Sequence, residues 1–221
     1  MSNIAFFDLD GTVVDSRIDV AHGHCHAVTS VGGIAPPLDE VVSLIGLSLE
    51  KTYEIMLPQS LHHRIPEAAE NYKTFYFDHC ADNSRPFEGA REGIERLREA
   101  GFKTAIATTK RSFMAVRVLE QLGLTDLFDH IQGTEDFPHK PQPDIIWHCL
   151  SALNIPRSSG TMWMVGDTTM DIRAGHNAGI NSAAALYGYG ENEELHKLRP
   201  QVSAASFDEL IEGILTWNES D

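Results

Sequence analysis

Short apolar runs alternate with longer amphipathic stretches along most of the chain. The runs at 4–7, 104–107 and 162–165 end abruptly in polar residues, which predicts buried strands. Weaker strand candidates lie at Ile131 and at 182–186. The sequence therefore predicts several strands that are buried on both faces.

Helical periodicity separates the later runs. The apolar spacing predicts helices over 90–100, 113–122 and 144–153, and Gly101 and Gly123 follow two of them as stop signals. Because strands and helices alternate, we predict an α/β fold with a Rossmann-like, doubly wound parallel sheet. Ligands of such sheets bind outside the carboxyl ends of the strands.

The segment after the first predicted strand has a different character. From about 18 to 82 it shows helical periodicity, broken by glycine and proline pairs, and has no convincing strand. We therefore expect a helical cap domain over 17–82, inserted after the first strand. The remaining residues, 1–16 and 83–221, would form a Rossmann-like catalytic core.

The acidic charge balance limits the possible partners. Among 221 residues, 17 are Lys or Arg and 32 are Asp or Glu, which gives a formal net charge of -15. A field of this sign repels nucleic acid and anionic membranes, so we expect neither as a partner. Any phosphate chemistry should use a metal ion that reverses the potential locally.

Cysteine content points to a compartment. The three cysteines are scattered and odd in number, which makes a poor disulfide framework and favours a reducing environment. Neither a secretory signal nor an apolar run long enough to span a membrane is apparent. We expect a cytoplasmic protein, and the sequence leaves monomer and homodimer open.

Groups suited to binding phosphate or metal follow three of the predicted strands. They are Asp8 and Asp10 after the first run, Thr108, Thr109 and Lys110 after the second, and Gly166, Asp167 and Asp171 after the run at 162–165. Because the carboxyl ends of parallel strands meet at one edge of the sheet, we expect these groups to converge on one crevice.

Each of these groups also has a purely structural interpretation. Asp10-Gly11 is typical of a hairpin turn, and Thr168 with Asp171 is typical of a helix capping box. The segment 140–143 is typical of an extended surface segment. Taken singly, each group leaves these alternatives open.

The order and spacing of four segments favour the functional interpretation. DLDGT at 8–12, IATTK at 106–110, KPQP at 140–143 and GDTTMD at 166–171 resemble the four signature motifs of the haloacid dehalogenase-like hydrolase superfamily. The similarity is greatest to the phosphoglycolate phosphatase-like branch, whose helical cap lies between the first two motifs. Thr109 departs from the Asn that is usual in that branch.

The resemblance implies a phosphatase that depends on Mg²⁺ and forms an aspartyl-phosphate. Asp8 would be the nucleophile, and Asp10 would be the general acid and then the general base. The implied phosphate-binding residues are Thr108, Thr109 and Lys140, and the implied Mg²⁺ ligands are Asp8, the Asp10 carbonyl, Asp167 and Asp171.

The expected partner is a small phosphorylated metabolite, and the resemblance suggests phosphoglycolate. A sugar phosphomutase or a pyrophosphatase on the same scaffold stays open, as does a non-catalytic phosphate-binding protein. Asp10 argues against a dehalogenase, because the dehalogenases of this superfamily lack a second aspartate and the metal. The histidines of 22–26 have a spacing that suits Zn²⁺, and whether they bind metal is left open.

Overall fold

The computed structural model describes residues 2–217 of the chain, which form two compact units. Within that range, one unit comprises residues 2–15 with 86–217, and the other comprises Ser16–Arg85. The division predicted from the sequence, with the middle segment over 17–82, falls at similar points. The role of that segment as a cap stays a prediction.

The strands and helices follow in chain order. The strands are β1 (Asn3–Phe7), β2 (Val14–Asp15), β3 (Arg85–Pro86), β4 (Phe102–Ala107), β5 (His130–Gln132), β6 (Met162–Gly166), β7 (Asn181–Ala185) and β8 (Val202–Ala204). The helices are α1 (Arg17–Ser30), α2 (Leu38–Val42), α3 (Leu49–Met56), α4 (Ile65–His79), α5 (Ala90–Glu99), α6 (Ser112–Gln121), α7 (Asp144–Ala152), α8 (Thr169–Ala178), α9 (Asn192–Lys197) and α10 (Phe207–Thr216). In this part of the chain, no helix is long and apolar enough to cross a bilayer.

The first unit is built on a six-stranded sheet in the order β5-β4-β1-β6-β7-β8. Every neighbouring pair in this sheet is parallel. Helices α5, α7, α8 and α10 pack against its strands. The predicted α/β fold with a Rossmann-like parallel sheet is confirmed.

Strand β1 lies at the centre of the sheet, and every one of its side chains after Asn3 is apolar. Ile4, Ala5, Phe6 and Phe7 are all fully buried. A strand covered on both faces needs a continuous apolar run instead of the alternation of a half-exposed strand. The central position places the residues that follow Phe7 beside the ends of both β4 and β6.

The second unit is helical, and α1 packs against α2 and α4. Gly23 permits close helix contact, since a Cβ there would lie 2.9 Å from the Tyr72 ring. His24 is buried beside it, with Nδ1 3.1 Å from the Tyr53 hydroxyl and its ring stacked on Tyr72 at 4.3 Å. His24 therefore belongs to the packing of this unit.

A buried carboxylate joins the two chain ends of the second unit. Asp19 accepts hydrogen bonds from the backbone N–H and side-chain amide of Asn83, and from the backbone N–H and hydroxyl of Ser84. Burial works to raise the pKa of Asp19, but the hydrogen bonds from Ser84 and Asn83 outweigh it and hold the pKa below its ordinary value. Asp19 thus fixes the start of α1 to the segment after α4.

Candidate active site

The candidate groups of the first unit follow the carboxyl ends of its central strands. Asp8 follows β1, Thr108 follows β4 and Asp167 follows β6. The backbone N–H of Asp8 donates to the Val165 carbonyl at 2.9 Å, and that of Thr108 donates to the Gln132 carbonyl at 3.1 Å. Interstrand hydrogen bonding therefore continues one residue past the strands and fixes the backbone beneath the site.

Three buried carboxylates converge at this edge. Asp8, Asp167 and Asp171 each offer an oxygen, and these atoms all lie within 4.8 Å of one another. No other group of three His, Cys, Asp or Glu side chains within residues 2–217 meets that distance. Carboxylate oxygens are hard ligands, so the group is able to hold a metal ion.

Lys140 supplies positive charge inside the same group. Its Nζ lies 2.5 Å from Asp171 Oδ1 and 2.9 Å from Asp8 Oδ1, and it donates to the Ala107 carbonyl at 3.0 Å. Burial works to lower the pKa of Lys140, but the charges of Asp171 and Asp8 outweigh it and raise the pKa above its ordinary value. The interpretation of 140–143 as an extended surface segment is wrong for Lys140, which is only 3% exposed.

One carboxylate oxygen of Asp8, Oδ1, lacks a well-directed hydrogen bond within the described structure. Burial raises the pKa of Asp8 to about 6, and attraction to Lys140 offsets only part of that effect. Although Asp8 Oδ1 lies 2.9 Å from Lys140 Nζ, it receives no well-directed hydrogen bond within the described structure. An incompletely paired buried carboxylate oxygen fits a group that binds a cation or attacks phosphorus.

Asp167 is oriented through both of its oxygens. The Thr12 hydroxyl donates to Oδ1 at 2.9 Å, and the Tyr189 backbone N–H donates to Oδ2 at 2.8 Å. Burial, followed by the charges of Asp171 and Asp8, nevertheless raises the pKa of Asp167 to about 8. A cation at this site would remove that electrostatic cost.

Two motif glycines leave room for these carboxylates. Gly11 has a φ of +84°, and a Cβ there would lie 2.3 Å from Asp167 Oδ2. A Cβ at Gly166 would lie 2.3 Å from the Asp171 Cγ. Any side chain at these two positions would displace a carboxylate of the site.

The loop after β1 is a turn, and the expected hairpin alternative is wrong. The Leu9 carbonyl accepts from the N–H groups of Val13 and Val14, and the bridge between Asp10 and Val14 is parallel. A hairpin would require antiparallel pairing.

The capping box at the start of α8 is present, and it coexists with the functional interpretation. Asp171 Oδ2 accepts from the backbone N–H of Thr168 at 3.0 Å and from its hydroxyl at 2.5 Å. The other oxygen, Oδ1, is the one that contacts Lys140. Asp171 thus links the helix terminus to the buried lysine.

Asp10 forms a second ion pair, beside that of Asp8. Its Oδ2 lies 2.9 Å from Lys110 Nζ, and both side chains are largely buried. From the sequence, Lys110 was predicted only to be one of the groups suited to binding phosphate or metal, and its contact with Asp10 was not predicted. The available signal was its place in the loop after β4, the strand that neighbours β1.

The threonines of the same loop are close by. Thr108 is buried, and its hydroxyl accepts from the Lys110 backbone N–H at 3.3 Å, whereas Thr109 is half-buried. The phosphate-binding roles of Thr108 and Thr109 and the metal-binding role of the Asp10 carbonyl stay predictions.

The histidines of 22–26 do not form a comparable group. His22 is exposed, His24 is buried in the second unit, and His26 stacks on Phe75 at 4.3 Å. Within residues 2–217, none of them belongs to a cluster of three potential metal ligands.

The family of the chain follows from comparison with known proteins. The family model described as haloacid dehalogenase-like hydrolase matches residues 5–185, a span that includes Asp8, Asp10, Lys110, Lys140, Asp167 and Asp171. A haloacid dehalogenase-like family hydrolase from Streptococcus pneumoniae has a solved structure that is 25% identical, with a TM-score of 0.85, and the match covers 97% of this chain and 98% of that one. The chain belongs to the haloacid dehalogenase-like hydrolase family, as the motifs suggested.

Curated relatives refine this assignment. A phosphoglycolate phosphatase from Vibrio parahaemolyticus is 32% identical, over 93% of each chain. A pyrophosphatase from Halalkalibacterium halodurans is 28% identical, over 95% of each chain. Within its family, the chain is a phosphatase.

Proposed function

We propose that the chain is a Mg²⁺-dependent phosphatase that hydrolyses a small phosphate monoester through an aspartyl-phosphate at Asp8. The observation that carries the proposal is the position of Asp8. It is a buried carboxylate with an incompletely paired oxygen, within 4.8 Å of two further carboxylates and 2.9 Å from a buried lysine. A nucleophile for phosphorus needs these surroundings, because charge must be neutralised before two anions meet.

The metal-binding proposal rests on the chemistry of the donor set. Asp8 and Asp167 offer carboxylate oxygens, the Asp10 carbonyl completes the protein ligands, and Asp171 is close enough to join them or to act through Lys140. The set is all oxygen, which suits Mg²⁺. When bound, the ion supplies positive charge that stabilises the transferring phosphoryl group.

The chain's own residues carry the two proposed steps. An Asp8 carboxylate oxygen attacks phosphorus, the ester P–O bond breaks, and Asp10 gives its proton to the departing alkoxide. Water then attacks the phosphorus of the aspartyl-phosphate, its proton passes to Asp10, and the bond from phosphorus to Asp8 breaks. Lys140 and Thr108 bind the phosphoryl oxygens in both steps.

The substrate proposal follows the relatives. Phosphoglycolate is the first candidate, and pyrophosphate is the second because a pyrophosphatase is among the relatives. The unit Ser16–Arg85 is proposed as the cap that selects the substrate and excludes water during transfer. The proposed compartment is the cytoplasm, which three cysteines without a disulfide support.

A panel of substrates tests the proposal. Phosphoglycolate, other alkyl phosphates, sugar phosphates, pyrophosphate and p-nitrophenyl phosphate are assayed with Mg²⁺ and with a chelator. We expect Mg²⁺-dependent release of phosphate, with an alkyl monoester among the substrates of highest kcat/KM. Background turnover of every compound in the presence of Mg²⁺ would instead support a non-catalytic phosphate-binding protein.

Replacing Asp10 tests the proton transfer. In Asp10→Asn the side chain keeps its size but cannot give a proton to the leaving group. We expect kcat/KM for an alkyl phosphate to fall by about 10²-fold or more, and kcat/KM for p-nitrophenyl phosphate to fall much less, because a good leaving group departs unprotonated. The ratio kcat/KM is used because it reports the steps up to departure of the leaving group, whereas kcat also includes the later hydrolysis in which Asp10 acts as base. Equal losses of kcat/KM on the two substrates would contradict the role of Asp10 as general acid.

The raised pKa values predict how Mg²⁺ stabilises the fold at different pH. The folded-state pKa values of about 6 for Asp8 and about 8 for Asp167 exceed the ordinary value of 3.8. Between about pH 4 and 8 the folded chain therefore binds more protons than the unfolded chain, and the metal-free protein loses stability as pH rises. Mg²⁺ binds the ionised carboxylates, so the stabilisation it gives grows over the same window.

The measurement is the melting temperature with Mg²⁺ and with a chelator, at about pH 5.5 and about pH 8.5. We expect the Mg²⁺-dependent increase to be several-fold larger at the higher pH. In Asp167→Asn the Mg²⁺-dependent increase in melting temperature should be small at both pH values. The same increase at both pH values in the unmodified protein would contradict a metal site at these carboxylates.

A further inference from the structure

We infer that Lys110 is a positioning residue for the proposed proton transfer, holding the Asp10 carboxylate where it meets the leaving group. The inference rests on the proposed function. Lys110 Nζ lies 2.9 Å from Asp10 Oδ2, and the two side chains are only 9% and 13% exposed. An ion pair so sheltered restricts a carboxylate much more than a surface pair does.

The backbone of Lys110 is itself fixed. Its N–H donates to the Thr108 hydroxyl at 3.3 Å, and its carbonyl accepts from the Thr134 N–H at 2.9 Å. The loop also packs tightly on Gly133, where a Cβ would lie 2.2 Å from the Lys110 carbonyl oxygen. The ammonium is therefore carried by a well-anchored loop.

The backbone of Asp10 is equally constrained, by the turn after β1. The Gly11 N–H donates to the Val14 carbonyl at 2.9 Å, and Asp10 forms a bridge with Val14. Since the main chain is fixed on both sides, the rotamer of Asp10 is the main remaining freedom. Lys110 restricts that rotamer by engaging one carboxylate oxygen.

Asp8 and Asp10, the two aspartates after β1, therefore form ion pairs with different lysines. Lys140 contacts Asp8 and Asp171, so it belongs to the site of phosphoryl transfer. Lys110 contacts Asp10, so it belongs to the site of proton transfer. General acid catalysis depends on holding the donor near the leaving oxygen. The contact of Lys110 with Oδ2 restrains the carboxyl group and leaves Oδ1 to carry the proton that Asp10 gives to the leaving group.

The test compares Lys110→Met, Lys110→Arg and the unmodified enzyme on two substrates, p-nitrophenyl phosphate and the alkyl phosphate of highest kcat in the panel. For Lys110→Met we expect kcat/KM on the alkyl phosphate to fall by about 10-fold to 100-fold, with a change of less than about threefold in kcat/KM on p-nitrophenyl phosphate. Lys110→Arg should recover much of the loss. The control is Lys103→Met on β4, the strand that precedes the Lys110 loop, where an exposed lysine pairs with Asp129.

A double-mutant cycle separates positioning through Asp10 from other roles. In an Asp10→Asn background, Lys110→Met should cost less than about threefold in kcat/KM, because the group it positions is already gone. Additive losses, or equal losses of kcat/KM on both substrates, would overturn the inference. If the unmodified enzyme turned over neither substrate, the proposed function itself would fail, and this outcome is distinct from the others.

Discussion

Asp8→Asn is expected to lower kcat by about a thousandfold or more, because the covalent route through an aspartyl-phosphate disappears. The substitution keeps the size and shape of the side chain and removes only the charge and the nucleophilic oxygen. The loss should appear on every substrate, including p-nitrophenyl phosphate, since every substrate must transfer its phosphoryl group to Asp8 whatever its leaving group. Measurement of kcat across the substrate panel checks this.

The same variant should not be destabilised. The folded-state pKa of Asp8 is raised to about 6 by burial, so above that pH the ionised side chain reduces the free energy of unfolding. A neutral amide removes this cost, and at about pH 7.5 the melting temperature in the absence of metal should equal or exceed that of the unmodified protein. The control is Asp126→Asn at an exposed position, which should change neither kcat nor the melting temperature. A loss of only a few-fold in kcat would remove Asp8 as the nucleophile.

Lys140→Met is expected to damage both activity and stability. The substitution leaves Asp8 and Asp171 buried together without the ammonium that lies between them. Removing one partner of a buried ion pair costs about 3–5 kcal/mol, and removing a charge that stabilises the transition state costs about 10²–10³-fold in kcat. Denaturant unfolding and steady-state kinetics measure the two effects.

The matched comparison is again Lys103→Met. Its lysine forms a 2.7 Å contact with Asp129, but it is half exposed. Such a pair contributes at most about 1 kcal/mol, so the free energy of unfolding should change little. Equal effects of the two substitutions on the free energy of unfolding would show that burial of Lys140 has no energetic consequence.

The sheet was predictable where its strands are buried on both faces. The runs at 4–7, 104–107 and 162–165 are apolar apart from Thr104 and are followed by Asp8, Thr108 and Gly166, so the bounds of β1, β4 and β6 were evident to within a few positions. Strand β8 was not predicted, because only Ala204 of its three residues is buried and no periodic pattern results. It owes its conformation to pairing with β7, which is a tertiary effect.

The parts of the site that depend on the type of side chain were predictable from the sequence. The convergence of Asp8, Asp167, Asp171 and Lys140 followed from their places after strands and from the motifs. The Tyr189 contact to Asp167 was not predictable, because its donor is a backbone N–H that any residue possesses. Nor was the pair of Lys110 with Asp10, which depends on how two loops pack.

The alternatives for Asp171 show a further limit of sequence interpretation. A capping box and a place in the site were treated as competing explanations for Asp171. In the structure, its Oδ2 accepts hydrogen bonds from Thr168, and its Oδ1 contacts Lys140. A carboxylate has two oxygens, so one side chain satisfies both roles. The cap of α8 thereby sets the position of the charge that holds Lys140.

The most direct measurement is chemical identification of the phosphorylated residue during turnover. The unmodified enzyme is mixed with its best substrate and Mg²⁺, quenched rapidly, and reduced with borohydride, which converts an aspartyl-phosphate to homoserine. Peptide mass spectrometry should then find homoserine at position 8 in samples that received substrate, and Asp at position 8 in samples that did not. Unmodified Asp8 in samples taken during steady turnover, or reduction at a different carboxylate, would contradict the proposed nucleophile.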